Sequence, residues 1–326
     1  MPSRYSRLRP ALRRFAHTFL SLTLLAWVLV GQAGAQTRDY GPIVLELAGS
    51  TRALALGDAF ALGLRDSNGV FYQPGTLDRV QGFSGSIQRF GSSATLTTFS
   101  AGRPWYSGGI ALGIQHLSYG APGEEPVSGD NLLQLSRDPG SLRSNGDLGV
   151  SERVVSLGYG RRVKGIRMGV VGKLVEERFG SRQATTGAFD LGVAASPGPL
   201  TVGLAVQNLG WDMCIGGEEI PLPFRASLGA STRTAIVGPL DLSASGKVLY
   251  RDDGDVIPSA GLEVAYWPVT GRIFVGRIGF RHLPDGYSGS PVTFGGGFIG
   301  DNIVLDYAYE GFDSGDPSHR FSVGWR

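Results

Sequence analysis

Enzymatic chemistry would need a nucleophile beside a base, a cluster of metal ligands or a glycine-rich phosphate cradle. The 326 residues hold four histidines, His17, His116, His282 and His319, too scattered for any zinc-binding HExxH pattern. No GxSxG or P-loop pattern occurs. Runs such as Gly165-Ile166-Arg167-Met168-Gly169 read as strand glycines rather than phosphate cradles. The single cysteine, Cys214, excludes an internal disulfide framework and a cysteine-based metal site. Asp252-Asp253-Gly254-Asp255 has the look of a calcium loop but lacks the downstream EF-hand ligands, so it reads as a polar hairpin turn. The sequence assigns no catalytic, cofactor-binding or metal-ligating residue, and the chain reads as a non-enzyme without cofactors. A net charge of +2 gives no reason for a nucleic-acid partner.

The chemistry that remains is electrostatic. Arg167, Lys173, Asp190, Lys247, Glu263, Arg277, Asp306 and Glu310 fall on one face of segments that alternate apolar and polar residues. Mixed charges on an inner face point to mutual pairing or to pairing with an internal segment; a polar lumen around a permeation path is the other reading. Arg52 is a natural partner for one of these acids.

What must position these charges is a set of strands. In Leu240–Arg251, Leu240, Leu242, Ala244, Val248 and Tyr250 share one face, and Asp241, Ser243, Ser245, Lys247 and Arg251 the other. Successive strand side chains point to opposite faces, so this pattern sets one face in oil and one in water. Fourteen such segments lie near 83–90, 94–103, 108–120, 153–163, 166–179, 184–196, 200–210, 224–233, 240–251, 256–267, 273–282, 292–301, 303–312 and 319–326. Their lengths match the ~9–11 residues that a tilted strand needs to cross hydrocarbon. Connections alternate short and long, as in bacterial membrane barrels. The short set is 104–107, 164–165, 197–199, 234–239, 268–272 and 302; the longer set includes 121–152, 211–223, 283–291 and 313–318, with shorter members at 91–93, 180–183 and 252–255. Trp105, Tyr106, Trp211, Trp267 and Trp325 sit at segment ends, where amphipathic rings lie at headgroup level. Glycine, 51 of 326 residues, is about twice its ordinary share of ~7%. The expected fold is all-β: a transmembrane antiparallel β-barrel of about fourteen strands with a short N-terminal helical plug segment.

Residues 1–35 read as a signal peptide. Arg4, Arg7, Arg9, Arg13 and Arg14 precede the apolar run Phe19–Val30, and Ala33-Gly34-Ala35 offers a cleavage site. The expected organisation is thus 1–35 signal peptide, 36–82 plug segment and 83–326 barrel. Export through a cleaved signal peptide to the outer membrane of a Gram-negative bacterium follows. Ser50 and Thr51 could cap a short helix reaching Leu64, before Asp66-Ser67-Asn68-Gly69 breaks it and Gln73-Pro74-Gly75 turns the chain. That segment reads as a lumenal plug or as a periplasmic appendage.

Gly49–Leu77 resembles the opening of the PorV/PorQ-type proteins of the FadL-like outer-membrane β-barrel superfamily. Gly49, Arg52, Gly57, Ala59, Phe60, Asp66, Pro74 and Leu77 match; Gln73, where the family usually has Asn, and Gly75-Thr76 depart. Gln207-Asn208-Leu209-Gly210 followed by Glu218–Arg225, with Pro221-Leu222-Pro223, resembles a second family segment. The resemblance implies a fourteen-stranded barrel whose plug includes Gly49, Arg52, Gly57, Phe60, Asp66 and Pro74. It also implies a component of, or shuttle for, type IX-like protein secretion at the cell surface. The alternative is a FadL-like transporter of hydrophobic small molecules. The expected partners are outer-membrane lipid and lipopolysaccharide, with secretion-machinery proteins, secreted cargo or hydrophobic small molecules according to which reading holds. The long loop 121–152 discriminates them: an apolar groove around Leu132, Leu133 and Leu135 would favour ligand capture. A barrel phospholipase or protease would need a nucleophile near His116 or His282, and the sequence offers none.

Overall fold

The computed structural model of the chain describes residues 41–59, 66–91, 94–119, 150–180, 182–284, 289–312 and 316–325. The signal-peptide reading, Phe60, Leu64 and most of loop 121–152 lie outside the described residues. Seventeen strands occur among the described residues: β1 (Gly82–Phe90), β2 (Ala94–Trp105), β3 (Gly108–Tyr119), β4 (Val150–Val163), β5 (Ile166–Phe179), β6 (Arg182–Ala195), β7 (Leu200–Gly210), β8 (Met213–Ile215), β9 (Glu218–Ile220), β10 (Arg225–Thr232), β11 (Ala235–Val237), β12 (Leu240–Arg251), β13 (Val256–Val269), β14 (Arg272–Arg281), β15 (Val292–Ile299), β16 (Ile303–Glu310) and β17 (Ser318–Trp325).

β8 and β9 form a small separate hairpin, whereas β10 and β11 both pair with β12 and act as one interrupted strand. That leaves fourteen wall strands, each antiparallel to its neighbours in sequence, and β1 pairs with β17 to close the ring. The expected fourteen-stranded barrel is the observed fold. Closure pairs the wall strands on both sides except along the short β11, whose one partner is β12; such pairing is what a strand-built wall in lipid requires. At the end where β2 meets β3 and β4 meets β5, the chain turns within two residues; Tyr106 (φ 48°) and Lys164 (φ 49°) take left-handed conformations there. The longer connections sit at the opposite end. Residues 234–239, expected as a turn, instead carry the wall onward through β11.

The wall alternates as its sequence does. Phe83, Ile87, Leu157, Leu174, Leu262, Phe274, Ile278, Phe321 and Val323 point out and are exposed, so the outer surface is an apolar band that needs lipid around it. Inside, in place of water, lies the N-terminal segment. A 3-10 turn at Ile43–Leu45, helix α1 (Thr51–Ala55) and 3-10 turns at Ser67–Phe71 and Pro74–Arg79 are largely buried. Ser50 caps α1 by accepting from the Ala53 N–H at 3.3 Å. The helix is shorter than the sequence suggests. It ends at Ala55 because Gly57 (φ 65°) and Asp58 (φ 60°) reverse the chain beneath β14, and a helix reaching Leu64 is incompatible with that turn.

Candidate functional site

The N-terminal segment spans the lumen, seated on inward glycines of the wall. An ideal Cβ on Gly261 would fall 2.8 Å from Cβ of Leu56, and one on Gly57 would fall 2.7 Å from the Phe280 nitrogen. At Gly279 any side chain would collide with the Leu56–Gly57 peptide. Across the lumen, Gly160 and Gly169 receive the backbone around Pro74, and Gly113 receives the ring of Phe71. The unusual glycine content thus has a packing cause: bare wall backbone lets a second layer of chain approach.

Charge then pins what shape admits. Arg52 donates through Nε and Nη2 to the two carboxylate oxygens of Glu263, both at 2.9 Å. Arg277 donates to Glu263 and to Asp306, both at 2.6 Å, so four side chains on α1, β13, β14 and β16 form one neutral network. Asp58 pairs with Lys247 and lies 3.8 Å from Arg225. Arg225 also donates to the Leu45 carbonyl at 2.9 Å, and Arg251 donates to Glu46 at 2.6 Å. Glu152 accepts from the Val44 N–H at 2.7 Å and from the Tyr119 hydroxyl. The fully buried Arg320 donates to the Ala48 carbonyl, to Gln88 at 3.1 Å, to Thr98 at 3.0 Å and to Ser86 at 2.8 Å. A guanidinium has five donors and no acceptor, so this spread of acceptors is what lets it be buried.

Of the residues singled out from sequence, Arg52, Glu263, Arg277 and Asp306 share that network. Lys173 and Asp190 pair at 2.7 Å, Lys247 meets Asp58, and Glu310 meets Arg281. Arg167 is buried near the short-turn end and donates to Ser196 at 2.9 Å. Gly49 packs on Phe71, Asp66 caps the Ser67–Phe71 turn through the Asn68 N–H at 3.0 Å, and Pro74 sits between Gly169 and Gly192. His116, His282 and His319 are not brought together, and Asp252–Asp255 form the turn between β12 and β13, closed by the Arg251 N–H on the Asp255 carbonyl at 3.0 Å.

Sequence reasoning missed Glu46, Asp58, Arg225, Arg251, Arg281 and Arg320 as site residues. Arg320 alternates with Phe321, Val323 and Trp325, so its inward face was there to be read. Asp58 was hidden by an overlong helix. The Gln207-Asn208 stretch has a local cause as well. Two residues of β7 oppose Asp190 in a bulge, with Asn208 at φ 61°, a conformation Asn tolerates. The bulge lets Asp190 accept from the Asn208 N–H at 2.8 Å, while the Asn208 amide donates to the Pro223 carbonyl at 2.7 Å and accepts from Lys173 at 2.7 Å. Gln207 donates to the Phe71 carbonyl at 2.9 Å, tying the bulge to the N-terminal segment.

Two groups of the inner segment have shifted acidities. Burial, reinforced by Asp58, holds the Tyr72 phenol well above its ordinary range, so it stays neutral and accepts from the Ser50 N–H at 2.8 Å. Burial pushes the Asp78 carboxyl up, against the pull of Arg167, Arg162 and Arg79.

The segment divides the interior. On the long-loop side a cavity open to solvent is floored by Ile43, Glu46, Leu47, Ala48, Leu54, Gly57 and Asp58. Its walls mix Phe90, Leu249, Ile257 and Phe312 with the paired Arg251, Arg281 and Glu310. On the other side a small recess lies beside Arg52, Asp66, Asn68 and Asp306.

No family model matches the chain, and no curated protein matches it in sequence. Solved structures do match. The toluene transporter TodX of Pseudomonas putida aligns over 89% of this chain and 97% of its own, with a TM-score of 0.52 and 11% identity. A FadL homologue of Pseudomonas aeruginosa aligns over 84% and 97%, with a TM-score of 0.50 and 10% identity. The chain has the FadL-type barrel fold. At this identity the likeness concerns fold alone.

Proposed function

We propose that this protein is an outer-membrane conduit for small, largely apolar molecules, with the N-terminal segment as its plug. The observation that carries the reading is the solvent-open cavity on the long-loop side ending on a segment held by ion pairs, with a second recess beyond it. Apolar rings and aliphatic side chains accept the body of such a solute, and the charges around them are already paired and discourage free ions. The fold shared with a toluene transporter supports the same class of cargo. Passage then requires α1 and the Gly57 turn to leave the glycine seats of β13 and β14. The test is flux into proteoliposomes of an apolar aromatic solute against a sugar of similar size. We expect faster entry of the aromatic than in protein-free vesicles and none for the sugar; equal entry of both would contradict the reading.

A second reading is a PorV/PorQ-type role in type IX-like secretion. Of the two stretches that resemble that family, the second clamps the N-terminal segment that carries the first: Gln207 holds Phe71, and Arg225 holds Leu45. Co-purification from native membranes separates the two, because secretion-machinery proteins or secreted cargo would be recovered only under the second.

A further inference from the structure

Toward the long-loop rim, one sector of the lipid-facing surface is charged where another stays apolar. On β13–β15 the outward side chains stay apolar to the long-loop end, with Val256, Phe280 and Val292 all exposed. On β3–β5 the change is abrupt. Cross-strand register sets Ile114, Val155 and Leu174 in one outward row, His116, Arg153 and Glu176 in the next, and Ser118, Ser151 and Arg178 in the one beyond. Arg153 and Arg178 are exposed. Among the described residues no ion pair joins Arg153 to Glu176, although they are directly opposed.

Depth fixes what these cations meet. Ten residues separate Arg153 from Val163 at the short-turn end of β4. At ~3.3 Å per residue and a tilt of ~40° that is ~25 Å along the barrel axis, the height of the apolar band of such barrels. Arg153 therefore stands where hydrocarbon gives way to headgroups. Opposed residues lie ~5 Å apart and diagonal ones ~7–8 Å, so His116, Arg153 and Arg178 fall within reach of one headgroup. Arginine grips phosphate oxygens through two parallel N–H bonds. Directly below, the exposed Leu157 and Leu174 offer a surface for acyl chains.

We propose that the outer ends of β3–β5 bind the phosphorylated headgroup of a lipid in the surrounding leaflet. Arg153 and Arg178 hold the phosphate, and its chains run along Val155, Leu157 and Leu174. Arg89, opposed to His319 across β1 and β17, extends the basic rim. A soluble anion would leave the apolar flank unused. On the described wall strands a second copy of the chain has only Glu176 as an outward acid to offer at this level. The site rests on the barrel being embedded in lipid, not on what its lumen passes.

The test is native mass spectrometry of the purified full chain with diphosphoryl lipid A and with its dephosphorylated counterpart. Arg153→Gln with Arg178→Gln is compared with Arg103→Gln and Arg161→Gln at the opposite rim, and folding is checked by heat-dependent gel mobility. We expect the native chain to retain the phosphorylated lipid selectively, the first pair to weaken retention about tenfold or more, and the second pair to leave it unchanged. Should the first pair fail to fold, Arg153→Lys with Arg178→Lys keeps the charge, loses the fork and should give an intermediate loss. Equal retention of both lipids, unchanged retention in every folded variant of the first pair, or occupation of the patch by a second copy would overturn the proposal.

Discussion

Removing Arg52 should loosen the inner segment without opening the wall, because its ion-pair partner Glu263 belongs to the lumenal network. Arg52 and Arg277 balance Glu263 and Asp306, so Arg52→Gln leaves one uncompensated negative charge and Glu263→Gln leaves one positive. Breaking a buried pair from one side costs about 3–5 kcal/mol. Here the side chains of Arg52 and Glu263 keep 25% and 16% of their exposure, so water offsets part of that cost. We take about 2 kcal/mol, which is roughly 30-fold in the local opening equilibrium. Hydrogen exchange of the amides of residues 50–58 reads this directly, since such local openings need not unfold the barrel. The double variant is the sharper case: it keeps the 2.6 Å Arg277–Asp306 contact and is neutral again. It should therefore protect those amides better than the sum of the single losses, by about 1 kcal/mol or more. Additive losses, or single variants indistinguishable from the native chain, would refute the reasoning. Exchanging the two charges is a poorer test, because a cation at position 263 would face Arg277.

Gly279→Ala should unseat the segment more severely than any polar change, since even a methyl group collides with the Leu56–Gly57 peptide; faster exchange at residues 54–58 in a barrel of unchanged strand content is the readout. Asn208→Ala should destabilise the barrel by about 2 kcal/mol or more through a strained φ and lost bonds to Lys173 and Pro223, and Asn208→Gly should recover only the strain part, both seen in thermal unfolding. Asp78 gives a pH dependence of definite sign. Its raised pKa means that the folded state holds the proton more tightly, so docking of Pro74–Arg79 is strongest in acid and weakens as pH rises through the upper carboxylate range. Asp78→Asn should flatten that slope in exchange of residues 74–80, and a slope of opposite sign in the native chain would count against it.

The wall was legible because its signal is local and repeated. Fourteen alternating runs and a sorted set of connections each restate the same requirement, so a misread turn such as 234–239 moves one boundary and leaves the topology intact. Lys173, Glu263 and Asp306 could be placed on the inner face from period-two alternation alone. Their partners could not. Which cation meets which acid depends on register across the barrel and on the path of the inner segment, and neither is written in any short stretch. Asp58 shows the limit: Leu54–Leu64 carries a helical-looking apolar pattern, and only the wall pressing on Gly57 ends the helix early. The glycines misled in another way, reading as strand filler one by one while acting together as a seat.

The central claim is that cargo passes only when the N-terminal segment leaves its seat. The most direct measurement is solute flux in a Cys214→Ser background carrying Leu56→Cys and Gly261→Cys. The two Cβ positions are close enough, at 2.8 Å for an ideal Cβ, to be bridged after a shift of about 1 Å. With the bridge oxidised, entry of the apolar aromatic solute into proteoliposomes should fall to that of protein-free vesicles, and reduction should restore the faster entry. Flux that continues through the locked barrel would contradict the account.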